Sequence, residues 1–140
     1  MIWSVALIGL LLPALAAAQP PEMRLPWTDV APTRAGDVVR TAAVGAADGR
    51  IGSFTARRAA AREAARRRAI AALHAWVDDA LARVRAHPRD ATRVHDAVDA
   101  AAEVRGVRPL SDGGAVVVVE VPVQALRDGC DEEGLPWVGD

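Results

Sequence analysis

Two His-x3-Asp pairs, His74 with Asp78 and His95 with Asp99, are the residues of this chain with the plainest capacity for chemistry. On a helix that spacing sets both side chains on one face, so two neighbouring helices could offer four ligands to a metal. Counted from the turn near Pro88, however, Asp78 and Asp99 come level while the two histidines end several residues apart. Solvent-side ion pairs are therefore the preferred reading, and no metal is assigned. A second constellation is Gly45-x3-Gly49-x2-Gly52-Ser53, which leads into a long helical stretch. A glycine loop before a helix N-terminus can cradle an anion, and Arg50, Arg57 and Arg58 would add positive charge. The spacing matches neither the Walker pattern nor the dinucleotide fingerprint, so a connecting loop is preferred over an anion site built from Arg50, Ser53, Arg57 and Arg58.

Cys130 is the single cysteine. It excludes an internal disulfide and leaves a free thiol in the acidic tail, or else an intermolecular bridge. Asp128, Asp131, Glu132 and Glu133 beside it would raise its pKa, which opposes a nucleophilic role. With three histidines in the chain, no Ser/His/Asp or Cys/His set stands out. Neither catalysis nor a cofactor is expected, and a metal-dependent enzyme ranks third among the functional readings.

The element that must position these groups is a helix over Phe54–Ala86. Ile70, Leu73, Val77, Leu81 and Val84 recur at steps of three and four and define a buried stripe on its second half. The first half alternates alanines with Arg57, Arg58, Arg62, Arg66, Arg67 and Arg68: helix formers, but nothing large to bury. Such a rod would be about 50 Å long at ~1.5 Å per residue, against ~30 Å for a domain of about 100 residues. The Arg-rich half is thus expected to overhang or to meet something charged, and Arg62 and Arg66 are candidate partner contacts. No aromatic interleaves with the Arg58, Arg62 and Arg66 row, which argues against a nucleic-acid surface.

Three β runs are expected around the helices. Asp37–Ala47 is rich in valine and small residues, and Val104–Leu110 joins Ala115–Val121 through Ser111-Asp112-Gly113-Gly114, a hairpin signal. The nearly unbroken apolar run from Ala115 to Val121 suits a central strand. A second helix from Pro88 or Asp90 to Glu103 would pack Val94, Ala97, Val98 and Ala101 back on the first. The expected fold is α+β: a three-stranded antiparallel sheet in the order β-α-α-β-β, with a long and a shorter helix on one face. Val116 and Val118 would then lie on an open face, a candidate surface for self-association or an envelope protein.

Around this domain of residues 37–127, residues 1–18 form an uncharged apolar run ending Ala16-x-Ala18, the pattern of a signal peptide cleaved after Ala18. The destination would be the periplasm or the exterior, with membrane contact only through that segment if it stays uncleaved. Residues 19–36 hold Pro20, Pro21, Pro26 and Pro32 and read as an extended or disordered leader. Leu25-Pro26-Trp27 recurs as Leu135-Pro136-Trp137. That repeat reads as chance with tryptophans clasping the domain edge, or else as paired partner-binding tags. Residues 128–140 read as an acidic flexible tail after a short helix to Arg127. The formal net charge is −1, yet residues 50–85 carry nine arginines against three acids, and residues 120–140 carry Arg127 against six. Segregation of that kind suits opposite-sign partners better than a nucleic acid.

Ala43-Val44-Gly45-Ala46-Ala47 closing a strand, the alanine-spaced helix Ala59–Leu73 and the last strand Gly114–Pro122 resemble the LPP-twenty lipoprotein family and the N-terminal domain of flagellar assembly protein T. The resemblance covers roughly residues 37–127. It implies an envelope module with an antiparallel sheet beside two helices, no catalytic residues, and partners in surface or flagellar structures. The lipid-accepting cysteine of those lipoproteins is absent. The functional expectation is an exported structural or partner-binding module, with anion or phosphate-ligand binding at the 45–58 loop as the alternative.

Overall fold

The computed structural model describes residues 23–84 and 91–137. The expected signal segment and the turn around Pro88 lie outside them. The described chain is α+β, with four strands and three helices: β1 (Val30–Ala35), β2 (Val38–Gly45), α1 (Phe54–Arg83), α2 (Thr92–Ala101), β3 (Glu103–Pro109), β4 (Ala115–Pro122) and α3 (Val123–Glu132). The sheet is antiparallel in the order β1-β2-β4-β3. Three strands were expected, so β1 is an addition, and the short helix expected to Arg127 continues to Glu132 as α3.

β1 arises inside the proline-bearing leader. It is an exposed edge strand, and Pro32 falls in its register break, where the missing N–H costs no ladder hydrogen bond. Gly36, at φ +63°, supplies the left-handed residue of the tight turn that returns the chain to β2. α3 runs through the first part of the expected tail, and Cys130 is 1 % exposed within the core. Burial, with Asp131 beside it, pushes the thiol above its ordinary range. A sequestered thiol of this kind does not offer the surface sulfur that an intermolecular bridge needs.

β4 lies between β2 and β3, and its alternation sorts the two faces of the sheet. Val117, Val119 and Val121 face the helices with Val39 and Ala43 from β2, in one core with Leu73, Val77, Leu81, Val94, Val98 and Leu126. α1 is a single rod, capped by the Ser53 hydroxyl, which accepts from the Ala56 N–H at 3.3 Å. Its alanine half does not overhang. Ala61, Ala65 and Ala69 are fully buried, because Gly45 on β2 lets the two backbones close to a separation no side chain could occupy. The buried face of the first half is this alanine line, so Glu63 stands at its margin, half-exposed, rather than at its centre.

The opposite face is not open. Val116 and Val118 are 1 % and 2 % exposed, packed with Ala42 beneath Leu25, Val44 and Leu110. Arg108 straps residues 25–27 across it, donating to the carbonyls of Leu25 (2.6 Å) and Pro26 (3.2 Å) and lying 3.8 Å from the Trp27 ring centroid. Leu25 reaches into space that a Cβ at Gly106 would fill. The second Leu-Pro-Trp segment docks on the helix side, where Leu135 and Trp137 join the main core and Trp137 sits 6.4 Å from Trp76. Each copy of the repeat thus clasps one face of the sheet. Self-association through an exposed Val116 and Val118 strip loses its premise, since the chain covers that strip itself.

Glu120 breaks the valine run on the strapped face and is buried there between two cations. Arg40 from β2 bonds it at 2.6–2.7 Å and Arg105 from β3 at 3.2 Å, so one carboxylate joins three strands.

Candidate functional site

α1 crosses β2 and β4 but barely touches β3. A groove of about 480 Å³ is left beside it, lined by Arg58, Arg62, Glu63 and Arg66 on the helix and by Val104, Val107 and Pro109 on β3. The three arginines stand four residues apart, so they project from one flank of the helix, a turn from one to the next. Helix formation alone aligns them, while the buried alanine line fixes which way they point.

Within the row the charges are unequal. Arg66 donates to both oxygens of Glu63, at 2.7 and 2.9 Å, and Arg67 lies 3.5 Å from the same carboxylate. The hydrogen bond from Arg66 holds the Glu63 carboxyl below its ordinary range, and Glu63 in turn raises Arg66. Arg58 stacks on the Phe54 ring at 4.6 Å. Among the described residues no acid pairs with Arg58 or Arg62. The groove therefore keeps two uncompensated guanidinium groups over an apolar floor, with Val104 (37 % exposed) and Phe54 (53 % exposed) among its surroundings. The lining offers ion pairing and apolar burial. By contrast, the groove between α2 and α3 mixes Arg93 with Asp96, Asp128 and Glu132.

The residues read as an anion cradle are each engaged elsewhere. Arg50 forms a bidentate pair with Asp48 at 2.8–3.3 Å, and Arg57 donates to the carbonyls of Ile51 (2.6 Å) and Gly52 (3.3 Å). Ser53 is occupied as the N-cap and Arg58 turns to the groove. Gly45 serves helix packing, and a Cβ at Gly49 or Gly52 would meet nothing within 4 Å. Of the partner-surface candidates, Arg62 and Arg66 line the groove while Val116 and Val118 lie under the strap.

The histidine pairs differ from expectation in an instructive way. His74 bonds Asp99 at 2.8 Å and His95 bonds Asp78 at 2.7 Å, each across the helix pair, and the two rings stack at 4.4 Å with an interplanar angle of 10°. The histidines are level, not offset, and the pairs run between helices rather than within them. Together they clasp α1 to α2. Among the described residues no group of three or more His, Cys, Asp or Glu is placed to hold a metal ion.

Missed by sequence reasoning were Arg68 and Asp29. Asp29 accepts from Arg68 (2.8 Å) and from the Val44 N–H (2.7 Å), while Arg68 also donates to the Val44 carbonyl, tying α1 to the start of β1 and the end of β2. No signal in a single sequence marks that pair, because 39 residues separate its members. Against known proteins, no family model, curated protein or solved structure matches this chain.

Proposed function

We propose that this chain is an exported, non-catalytic assembly module that binds an acidic partner protein of the cell envelope through the groove beside α1. The observation that carries the reading is the row Arg58, Arg62 and Arg66 over Val104, Val107 and Pro109, with Arg58 and Arg62 lacking acidic partners among the described residues. Two exposed guanidinium groups beside apolar surface attract a partner that carries carboxylates next to apolar side chains. Export rests on the leading apolar run and its Ala16-x-Ala18 end, and the resemblance to the LPP-twenty proteins supports the same class of role.

The test is paired capture from envelope extract by the wild-type chain and by the double variant Arg58→Glu/Arg62→Glu. Acidic proteins retained by the wild type are expected to be lost with the variant, and lost again when salt is raised to about 1 M, where attraction is screened beyond ~3 Å. Identical capture by both chains would contradict the reading. The variant should fold normally, because both side chains are exposed and neither supports a neighbour by an ion pair.

A further inference from the structure

Each edge of the sheet carries a proline and a register break, but the arginine-lined groove lies beside β3. β1 contains Pro32 and breaks its register between Val30 and Thr33. Both features blunt an edge against pairing. β3 pairs only with β4 among the described residues; its proline, Pro109, is the last residue of the strand, and alternate backbone groups before it point away from β4. Its own register break lies between Val104 and Gly106, which leaves Gly106–Arg108 as the regular stretch.

The direction of α1 over this edge is fixed at both ends. Phe54, at the start of the helix, sits next to Gly113 in the β3–β4 turn. Two-thirds of the way along the helix His74 bonds Asp99, which lies on α2 just before β3 begins. The helix therefore runs antiparallel to β3, and Arg58, Arg62 and Arg66 follow one another from the Pro109 end toward the Val104 end. Successive arginines are one turn apart, ~6 Å along the axis at ~1.5 Å per residue. Alternate residues of a β-strand are ~6.7 Å apart and point to the same side. The two repeats nearly coincide over the two steps from Arg58 to Arg66.

We propose that the β3 edge takes an extended acidic segment of the partner protein as a fifth strand, with carboxylates two positions apart aligned with Arg58 and Arg62, Arg66 being already paired with Glu63. This rests on the groove being the partner site and adds the conformation and sequence pattern of what enters it. The outward N–H and C=O of Val107 anchor the pairing, and the arginine row selects the sign and spacing of the side chains on the helix side. On the other side the new strand meets Arg105 and, along Gly106–Arg108, the Leu25–Trp27 strap held by Arg108. Arg105 is already bonded to Glu103 at 2.9 Å and to Glu120 at 3.2 Å, so uncharged residues suit the alternate positions. The regular stretch of β3 limits the recognised segment to about five residues.

The probe is a heptapeptide with glutamate at every second position and valine or serine between, titrated onto the full chain and followed by amide NMR. Saturable binding is expected, with protection of the Val107 amide, shifts along Gly106–Arg108 and neither along β1. Three weakenings of more than about tenfold are expected: on N-methylation of alternate peptide nitrogens, on gathering the glutamates into one block, and on Arg62→Glu. Absence of saturable binding, or equal binding of the N-methylated and block peptides, would overturn strand addition. Loss of envelope capture on charge reversal alongside either result would leave the acidic-partner reading standing, so the two can fail separately.

Discussion

Gly45→Ala is expected to cost more than about 3 kcal/mol and to lower the melting temperature of the domain by more than ~10 °C. A Cβ at Gly45 would lie 1.8 Å from the Ala61 carbonyl oxygen and 2.8 Å from the Ala65 backbone nitrogen. Both atoms belong to helix backbone, so no rotamer change relieves the clash. α1 would have to lift from β2, exposing Ala61, Ala65 and Ala69, which are wholly buried in the native state. With total stabilities of ~5–15 kcal/mol for ordinary domains, that is a large share. Gly49→Ala and Gly52→Ala are the controls, since neither position has a positive φ and an added Cβ would meet nothing within 4 Å. They should be neutral or stabilising by up to about 1 kcal/mol. Thermal denaturation followed by circular dichroism reads all three, and a Gly45→Ala chain as stable as wild type would show that α1 does not press on β2.

Leu73→Ala should cost about 2–5 kcal/mol by urea denaturation. Leu73 is among the largest fully buried side chains and belongs to the core formed by the helices and the valines of β4. Truncation removes apolar contacts and leaves a cavity, and the rigid valine ladder around it is poorly able to collapse into the space. Ile70, partly buried at the margin of the same core, should cost less when truncated. A loss below about 1 kcal/mol at Leu73 would mean that the second half of α1 is not packed as described.

The parts of this fold that could be read from the residues are those governed by local rules. Leu73, Val77 and Leu81 repeat at helical spacing and are buried as a stripe. The Ser53 cap and the Ser111–Gly114 turn are short-range chemistry, and the valine run marks the central strand. What could not be read depends on partners distant in sequence. The alanine line Ala61, Ala65 and Ala69 looks like unburied helix until Gly45 is placed against it. β1 carries no apolar alternation, because both of its faces are exposed at the sheet margin. Leu25 covers Val116 and Val118 only because Gly106 makes room and Arg108 holds the strap, neither of which a local pattern announces. The crossed His74/Asp99 and His95/Asp78 bonds require the axial register of two helices, which counting from a turn misjudged.

Candidate chemistry divided along the same line. Arg62 and Arg66 could be singled out from helical spacing, since an i, i+4 row needs nothing but the helix. That the row overlooks an apolar floor on β3, with an open strand edge beyond it, needs the sheet order and the position at which α1 crosses it. The loop glycines, by contrast, suggested an anion site through a local motif, while the arginines around them were drawn to Asp48 and to loop carbonyls.

The most direct measurement is an arginine-selective chemical footprint, read by mass spectrometry, of the chain alone and in complex with the acidic protein it captures. In the free chain Arg58 and Arg62 should react readily. In the complex both should be protected while Arg24 and Arg34 stay reactive. Protection confined to arginines away from α1, or unchanged reactivity of Arg58 and Arg62 in a saturated complex, would contradict the assignment of the groove as the binding surface.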